Sequence, residues 1–296
     1  MVSCVKDVDS AGSTQLIGKA ALIASVGGQR AFADWTNPDH RLRRLLAEFL
    51  GLAGLTFILS GCAAILARYG GHPLQPWQTV LVHATVAALW LVVAVYFLGD
   101  ISAHFNPAMT LAFALRRDMG WAMAGCYWVV QFAAAANGSL LARAFFGPAG
   151  NLAATMPKPG QSWHAVGFEA IITFGLVLMA LNLANGPKLN GPFVPLAVGA
   201  YTMAWVTMGG PFDGASMNPA RSFGPDVALG NLSTWWVYLI GRQLAPCSLS
   251  AWRTCCAGRP RPRRPPRPWE RHWTGADHDP ACATKTTSTS YPGDRQ

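Results

Sequence analysis

Long apolar stretches separated by short polar loops dominate the chain between residues 45 and 210. Five of these stretches have the roughly 20 mainly apolar residues that a helix needs to cross a bilayer. They cover residues 45–67, 79–99, 121–146, 164–184 and 192–210. A sixth stretch starts at residue 233 and is interrupted after residue 241 by Arg242, Gln243 and Pro246. The pattern predicts an all-α membrane protein with five complete spans and a truncated sixth.

Two other apolar runs are too short to cross the membrane, and each follows the tripeptide Asn-Pro-Ala. The copies are Asn106, Pro107 and Ala108, and then Asn218, Pro219 and Ala220. The first run ends before Arg116, so its helix is about 15 Å long, roughly half the hydrocarbon thickness. Asn is a good N-cap, and Pro is favoured at the first helical position. We therefore expect two half-helices that begin at the two prolines.

The chain also contains an internal repeat. Each unit has two spans, then Asn-Pro-Ala, then a third span; Glu48 lies in the first span of one unit and Glu169 in the first span of the other. Because three crossings are an odd number, the second unit must run through the membrane upside down relative to the first. The two half-helices then enter from opposite faces and meet at the midplane. Irregular backbone at that depth must be buried in protein or line a watery cavity, so the sequence predicts a pore there.

The meeting of two helix N-termini makes the centre of this pore electropositive. Asn106 and Asn218 can cap their own helices through their carbonyl oxygens while they direct amide donors into the lumen. Such a site accepts a neutral solute that has a lone pair and repels a proton or a cation.

The composition and charge agree with a membrane protein. Only 12% of the residues are charged, against about 25% in soluble domains. The net charge is +9, but ten of the basic residues lie between Arg242 and Arg295, so we expect no nucleic-acid partner. Basic residues in the short loops place both termini in the cytoplasm. We expect a multi-pass protein of the cell membrane, surrounded by lipid.

The side chains of this sequence give no sign of catalytic or metal chemistry. The seven cysteines form no C-x-x-C pair, which predicts neither a disulfide framework nor a metal site. No nucleophile lies beside a base, and the intramembrane His and Glu residues are scattered. We expect no cofactor and no enzymatic activity.

Polar segments border the apolar region on both sides. Residues 1–41 are predicted to be a disordered cytoplasmic extension rather than a signal peptide, and residues 42–246 to be the channel domain. Residues 247–296 form a basic tail rich in Pro and Arg, and helical periodicity is lost from Arg242 onward. We favour a shift of reading frame near codon 242 over a genuine tail that binds anionic lipid. Since the sixth helix would lose its second half, an inactive or structural membrane subunit is the alternative to a channel.

The chain resembles the aquaporin and glycerol-facilitator family, also called major intrinsic proteins. The resemblance covers residues 42–241 and rests on the segments "AEFLG", "GDISAHFNPAMTLAFA", "YWVVQF", "FEAIITFGLVLMAL" and "GGPFDGASMNPARSFGP". It implies six spanning helices, two half-helices and a homotetramer with one pore in each subunit. The implied activity is passive flow of water or small uncharged solutes.

The resemblance also implies an outer constriction. Arg221 would be its arginine, which repels cations and forms hydrogen bonds with the solute. Family spacing gives Val206 and Ala215 as two further positions. The fourth is Ala87, with Val86 as the alternative, because the loop before the first motif is one residue shorter than usual. Small apolar groups at three positions imply a wider constriction that passes glycerol or other small neutral solutes as well as water.

Two residues give opposite indications of the solute. Ser222, directly after Arg221, is typical of the family's water channels, whereas Leu239 in the last span replaces a Trp common in them. The resemblance further suggests that Glu48 and Glu169 accept hydrogen bonds from the loops that carry the motifs, with a proton relay as the alternative. It places the ring or backbone of His104 near the lumen.

One histidine of the second predicted span, His83, has two open placements. It can face the pore or a neighbouring helix, and we favour a structural histidine within the helix packing.

Overall fold

The computed structural model of the chain describes residues 38–72, 74–185, 193–241 and 243. In these residues the chain is all-α, and we label its helices α1 to α7 in chain order. They are α1 (Pro38–Tyr69), α2 (Pro76–Leu98), α3 (Pro107–Leu115), α4 (Trp121–Phe146), α5 (Ser162–Asn185), α6 (Val194–Asp213) and α7 (Pro219–Leu229). A 3₁₀ turn at Ala149–Ala153 lies between α4 and α5, and residues 235–241 are also helical.

Four of the described helices are long and apolar enough to cross a membrane, and they correspond to the first four predicted spans. These helices are His40–Tyr69, Pro76–Leu98, Trp121–Phe146 and Ser162–Leu183. The fifth predicted span forms α6, whose 20 residues give about 30 Å of helix, but α6 is not one of the four. Its Thr202, Gly209, Gly210 and Pro211 lower its apolar content. Helix α6 lies at the predicted position of the fifth span.

Some of the predictions fall outside the described residues. The sixth helical segment includes residues 235–241, and Gln243 is helical too. The predicted interruption at Arg242 and the tail in residues 247–296 lie outside the described part of the chain. Of the extension predicted for residues 1–41, residues 1–37 also lie outside it, whereas residues 38–41 belong to helix α1.

The two predicted half-helices are present as α3 and α7. They contain 9 and 11 residues, so each is about half as long as a span. Pro107 and Pro219 occupy the first helical position, and Asn106 and Asn218 are the N-caps. The loops that lead into them, residues 99–106 and 214–218, are called the first and second motif loops below.

Glycines allow the helices around α3 and α7 to pack closely. A Cβ atom at Gly138 of α4 would lie 2.2 Å from the carbonyl oxygen of Ala53 in α1. A Cβ atom at Gly224 of α7 would lie 2.4 Å from the carbonyl oxygen of Ala135 in α4. Because α1, α4 and α7 approach at backbone distance, α7 is held inside the helix bundle.

Candidate pore site

The tips of the two half-helices are joined by a reciprocal pair of hydrogen bonds. The Asn106 side-chain amide donates to the backbone oxygen of Met217 at 2.7 Å. The Asn218 amide donates to the backbone oxygen of Phe105 at 2.6 Å. Each asparagine therefore reaches the residue that precedes the other, and the two helices meet Asn-first.

The same asparagines cap their own helices, as the sequence predicts. The Asn106 Oδ1 atom accepts from the Ala108 N–H at 2.9 Å. The Asn218 Oδ1 atom accepts from the N–H groups of Ala220 and Arg221 at 3.1 and 3.2 Å. A side-chain amide has two N–H groups, and the bond between the tips uses one of them. The second N–H of each asparagine is therefore available to the lumen.

The residue before each asparagine has a left-handed backbone. Phe105 has φ 48° and Met217 has φ 54°, a conformation that costs a residue other than glycine about 1–3 kcal/mol. This conformation turns the two backbone oxygens towards the opposite asparagine. The strain therefore occurs where the two halves of the chain are joined.

A buried glutamate holds the first motif loop. The Oε1 atom of Glu48 accepts from the His104 N–H at 2.8 Å and from the Ser102 hydroxyl at 2.6 Å. Its Oε2 atom accepts from the Phe105 N–H at 2.7 Å and from the Gln131 amide at 2.8 Å. The Glu48 side chain is completely buried, so these donors replace the water that a carboxylate would otherwise need.

Glu169 holds the second motif loop in the same way. Its two oxygens accept from the Ser216 N–H at 2.8 Å and from the Met217 N–H at 3.0 Å. In both halves the carboxylate thus bonds the N–H groups of the two residues that precede the asparagine. Because backbone N–H groups do not titrate, these bonds favour a structural role over the proton relay.

His104 lies beside the first motif loop among aromatic side chains. Its Nδ1 atom is 3.1 Å from the Thr110 hydroxyl. Its ring stacks on Phe113 with a centroid separation of 4.6 Å and meets Tyr127 edge-on. The ring also lines the cavity described next.

A cavity of about 1200 Å³ extends along both motif loops. Both motif asparagines line it, and so do the four residues predicted for the constriction: Ala87, Val206, Ala215 and Arg221. Val86, the alternative to Ala87, is not among the lining residues. The geometry therefore brings the sequence-predicted residues to one continuous space and favours Ala87 at the uncertain position.

The turn at Ala149–Ala153 holds the side chain of Arg221. No motif in the sequence indicates this contact. The Nη1 atom of Arg221 donates to the backbone oxygen of Ala153 at 2.9 Å. Three consecutive non-glycine residues of the turn have positive φ, namely Asn151, Leu152 and Ala153 at 50°, 48° and 55°. The Leu152 oxygen accepts from the Ser60 hydroxyl at 2.9 Å, which ties the turn to α1.

His83 lies at the cavity, contrary to the placement that we favoured from the sequence. It lines the cavity one helical turn before Ala87. Its Nε2 atom has no hydrogen-bond partner in the described part of the chain. Because α2 is apolar on every side, the sequence pattern could not indicate which face carries His83.

Comparisons with known proteins agree with this architecture. The family model described as "Major intrinsic protein" matches residues 34–246. "Aquaporin NIP2-1" of Oryza sativa subsp. japonica is 33% identical over 226 residues, which are 76% of this chain and 73% of that protein. "Probable aquaporin NIP5-1" of Arabidopsis thaliana is 34% identical over 251 residues, or 83% of this chain and 81% of that protein. The solved aquaglyceroporin of Plasmodium falciparum has a TM-score of 0.59 at 18% identity and covers 73% of this chain and 98% of its own, so it shows the fold alone.

Proposed function

The chain belongs to the major intrinsic protein family, and on that basis we propose that it is a passive transmembrane channel for water and small neutral solutes such as glycerol. The observation that carries the proposal is a reciprocal pair of hydrogen bonds, from the Asn106 amide to the Met217 oxygen and from the Asn218 amide to the Phe105 oxygen. All four residues line one continuous cavity. A solute that follows this cavity passes the N-termini of both half-helices.

The centre of the cavity suits a neutral molecule that can accept a hydrogen bond. Two helix N-termini converge there, and each contributes the positive end of its dipole. Asn106 and Asn218 each retain one amide N–H beyond the bond between the tips. A water or hydroxyl oxygen can accept these donors, whereas a cation or a proton meets only positive potential.

The proposed outer constriction favours solutes somewhat larger than water. Arg221 supplies the N–H donors, while Ala87, Val206 and Ala215 have no side-chain hydrogen-bonding atoms. One polar side and small apolar groups suit a molecule with a carbon backbone and hydroxyl groups. This composition supports glycerol-sized cargo in addition to water.

The outer surface of the helices supports a membrane location and an assembly of subunits. Large apolar side chains such as Leu89, Val129 and Ile171 are 61%, 71% and 65% exposed, which requires lipid or a neighbouring subunit around them. We propose that the protein is a homotetramer in the cell membrane. The basic residues of the short loops favour a cytoplasmic location of both the N- and the C-terminus.

A second candidate function follows from the break in the sixth span. The apolar pattern stops at Arg242, so the apolar part of the predicted sixth span is too short to cover the full length of the pore wall. An inactive or structural membrane subunit would have the same motif loops without measurable flow.

A stopped-flow assay on proteoliposomes tests the proposal. The full chain should raise both water and glycerol permeability above that of empty liposomes. Val206→Trp fills the constriction and should abolish the gain. Met208→Trp places the same ring on a side chain of α6 that is 59% exposed, and it should conduct like the parent chain. Permeability equal to that of empty liposomes for the parent chain would favour the inactive subunit.

A further inference from the structure

His83 gives the cavity a hydrogen-bonding side chain beyond the four predicted constriction residues. It lies on α2 one turn before Ala87, and both side chains line the cavity. Val80, one turn further towards the start of α2, lines the cavity as well. The three residues form one face of the helix, with His83 as its polar member.

The imidazole has unused hydrogen-bonding capacity. The Nε2 atom is buried and has no partner among the described residues. Native proteins rarely leave a buried polar atom unpaired, and ordered water or a ligand commonly satisfies those that the protein does not. His83 itself lines the cavity, so a solute in the cavity can approach the ring and supply the missing partner.

The chemistry of His83 complements that of its charged neighbour. Arg221 lines the same cavity as His83. A guanidinium offers only donors, whereas a neutral imidazole offers one donor and one acceptor. A solute hydroxyl that accepts a hydrogen bond from Arg221 still has an O–H to donate, and Ala87, Val206 and Ala215 offer no side-chain acceptor for it.

We propose that His83 is a further specificity-determining residue, whose imidazole accepts a hydrogen bond from the hydroxyl groups of solutes held by Arg221. The inference rests on the proposed channel function. It predicts that His83 matters more for a polyol, which must lose several water molecules in the constriction, than for water itself.

Permeability of proteoliposomes to glycerol and to water, measured on one preparation of each variant, tests the assignment. His83→Phe keeps a planar ring and removes both nitrogens, so the ratio of glycerol to water permeability should fall by about two- to tenfold, the equivalent of one hydrogen bond. His83→Gln restores a side-chain acceptor and should keep the ratio within about twofold of the parent chain. Leu89→Phe is the control, because it adds the same ring to a side chain of α2 that is 61% exposed.

The outcomes separate this inference from the channel itself. A parent chain that conducts neither solute overturns the proposed function and the role of His83 together. A conducting parent with an unchanged ratio in His83→Phe overturns the role of His83 alone, and so does a ratio in His83→Gln as low as in His83→Phe. If the Phe variant does not reconstitute, His83→Met provides the same comparison with an unbranched apolar side chain.

Discussion

Glu48 and Glu169 hold the two motif loops because a carboxylate fits two consecutive backbone N–H groups. Neighbouring N–H groups point in nearly the same direction only when the backbone turns sharply, and positive φ at the second residue allows this. Phe105 and Met217 have that conformation. The acid, the strained residue and the asparagine therefore act together, and none of them fixes the loop alone.

Substitution of Glu48 by Gln should destabilise the protein by about 2 kcal/mol or more, because hydrogen bonds to a charged acceptor contribute about 1.5–3 kcal/mol each. The amide NH₂ group of the new side chain cannot accept a bond, so at least one of the four donors at Glu48 is left buried and unpaired. The midpoint of thermal unfolding in detergent measures the effect. Asp100→Asn changes an exposed carboxylate and should shift the midpoint little; equal shifts in the two variants would contradict the prediction.

Arg221 is expected to set the barrier to cations. A unit charge about 6 Å from the solute path at an effective dielectric constant of about 20 adds about 3 kcal/mol, a factor of about a hundred in rate. Arg221→Val should therefore raise the monovalent-cation permeability of proteoliposomes by up to about a hundredfold. Arg68→Val removes the same charge from an exposed position at the end of α1. A cation permeability that rises equally in both variants, or in neither, would show that Arg221 does not guard the path.

The motif residues could be predicted from the sequence because each has a local signature. Asn106 and Asn218 precede proline and a short apolar run, and Glu48 and Glu169 are acids within spans. The partners that these residues bind were harder to predict, because they depend on contacts distant in sequence. The bond from Arg221 to Ala153 involves a turn with no recognisable motif.

The turn at Ala149–Ala153 is the element that links the first unit to the constriction in the second. A Cβ atom at Gly150 would lie 2.3 Å from the backbone oxygen of Ala63 in α1, so the turn is packed directly on that helix. The Ser60 hydroxyl of α1 also donates a hydrogen bond to the backbone oxygen of Leu152 in the turn. Since Arg221 is held by the next residue of the turn, the position of the arginine depends on the contact with α1.

Replacement of Gly150 by Ala should displace this turn. Gly150 has φ +61°, so the added Cβ costs about 1–2 kcal/mol for the left-handed conformation alone and clashes with α1 as well. Gly160→Ala is the matched control, because Gly160 has φ +75° and no atom within 4 Å of the added Cβ. We expect Gly150→Ala to lower the unfolding midpoint more than Gly160→Ala and to change the ratio of glycerol to water permeability. Equal behaviour of the two variants would show that the turn tolerates the displacement.

The whole molecule consists of two units that complete each other across the cavity. Each unit contributes one half-helix, one buried glutamate that holds a motif loop, and one left-handed residue directly before the motif asparagine. The repeat and its inversion could be predicted from the sequence, because an odd number of spans fixes the relative direction of the units. The close approach of α6 to α2 could not, because it depends on tertiary packing: a Cβ atom at Gly199 would lie 3.0 Å from the Ala88 oxygen. A helix held by such backbone contact needs fewer large apolar side chains.

The origin of the last part of the sequence can be tested on the gene. The apolar pattern expected of a sixth span stops at residue 241 and gives way to a segment rich in Arg and Pro. Resequencing of the gene around codon 242 should reveal an apolar continuation in another reading frame. If no frame encodes one, the tail is part of the protein and the lipid-binding interpretation is favoured.

If the chain is made as written, the free-energy cost of placing Arg242 in the membrane can be tested on the whole protein. Residues 235–241 are helical, and at 1.5 Å per residue they carry the chain about 10 Å, less than half the hydrocarbon thickness. The sequence pattern therefore predicts that Arg242 interrupts the span within the hydrocarbon region, where an arginine costs up to about 2.5–3.5 kcal/mol. Arg242→Leu should therefore stabilise the full chain by about that amount and raise the unfolding midpoint in detergent or lipid nanodiscs. Arg295→Leu removes the same charge near the end of the sequence and should change neither the stability nor the unfolding midpoint. A similar gain in stability from both variants would mean that residue 242 is not buried in the membrane.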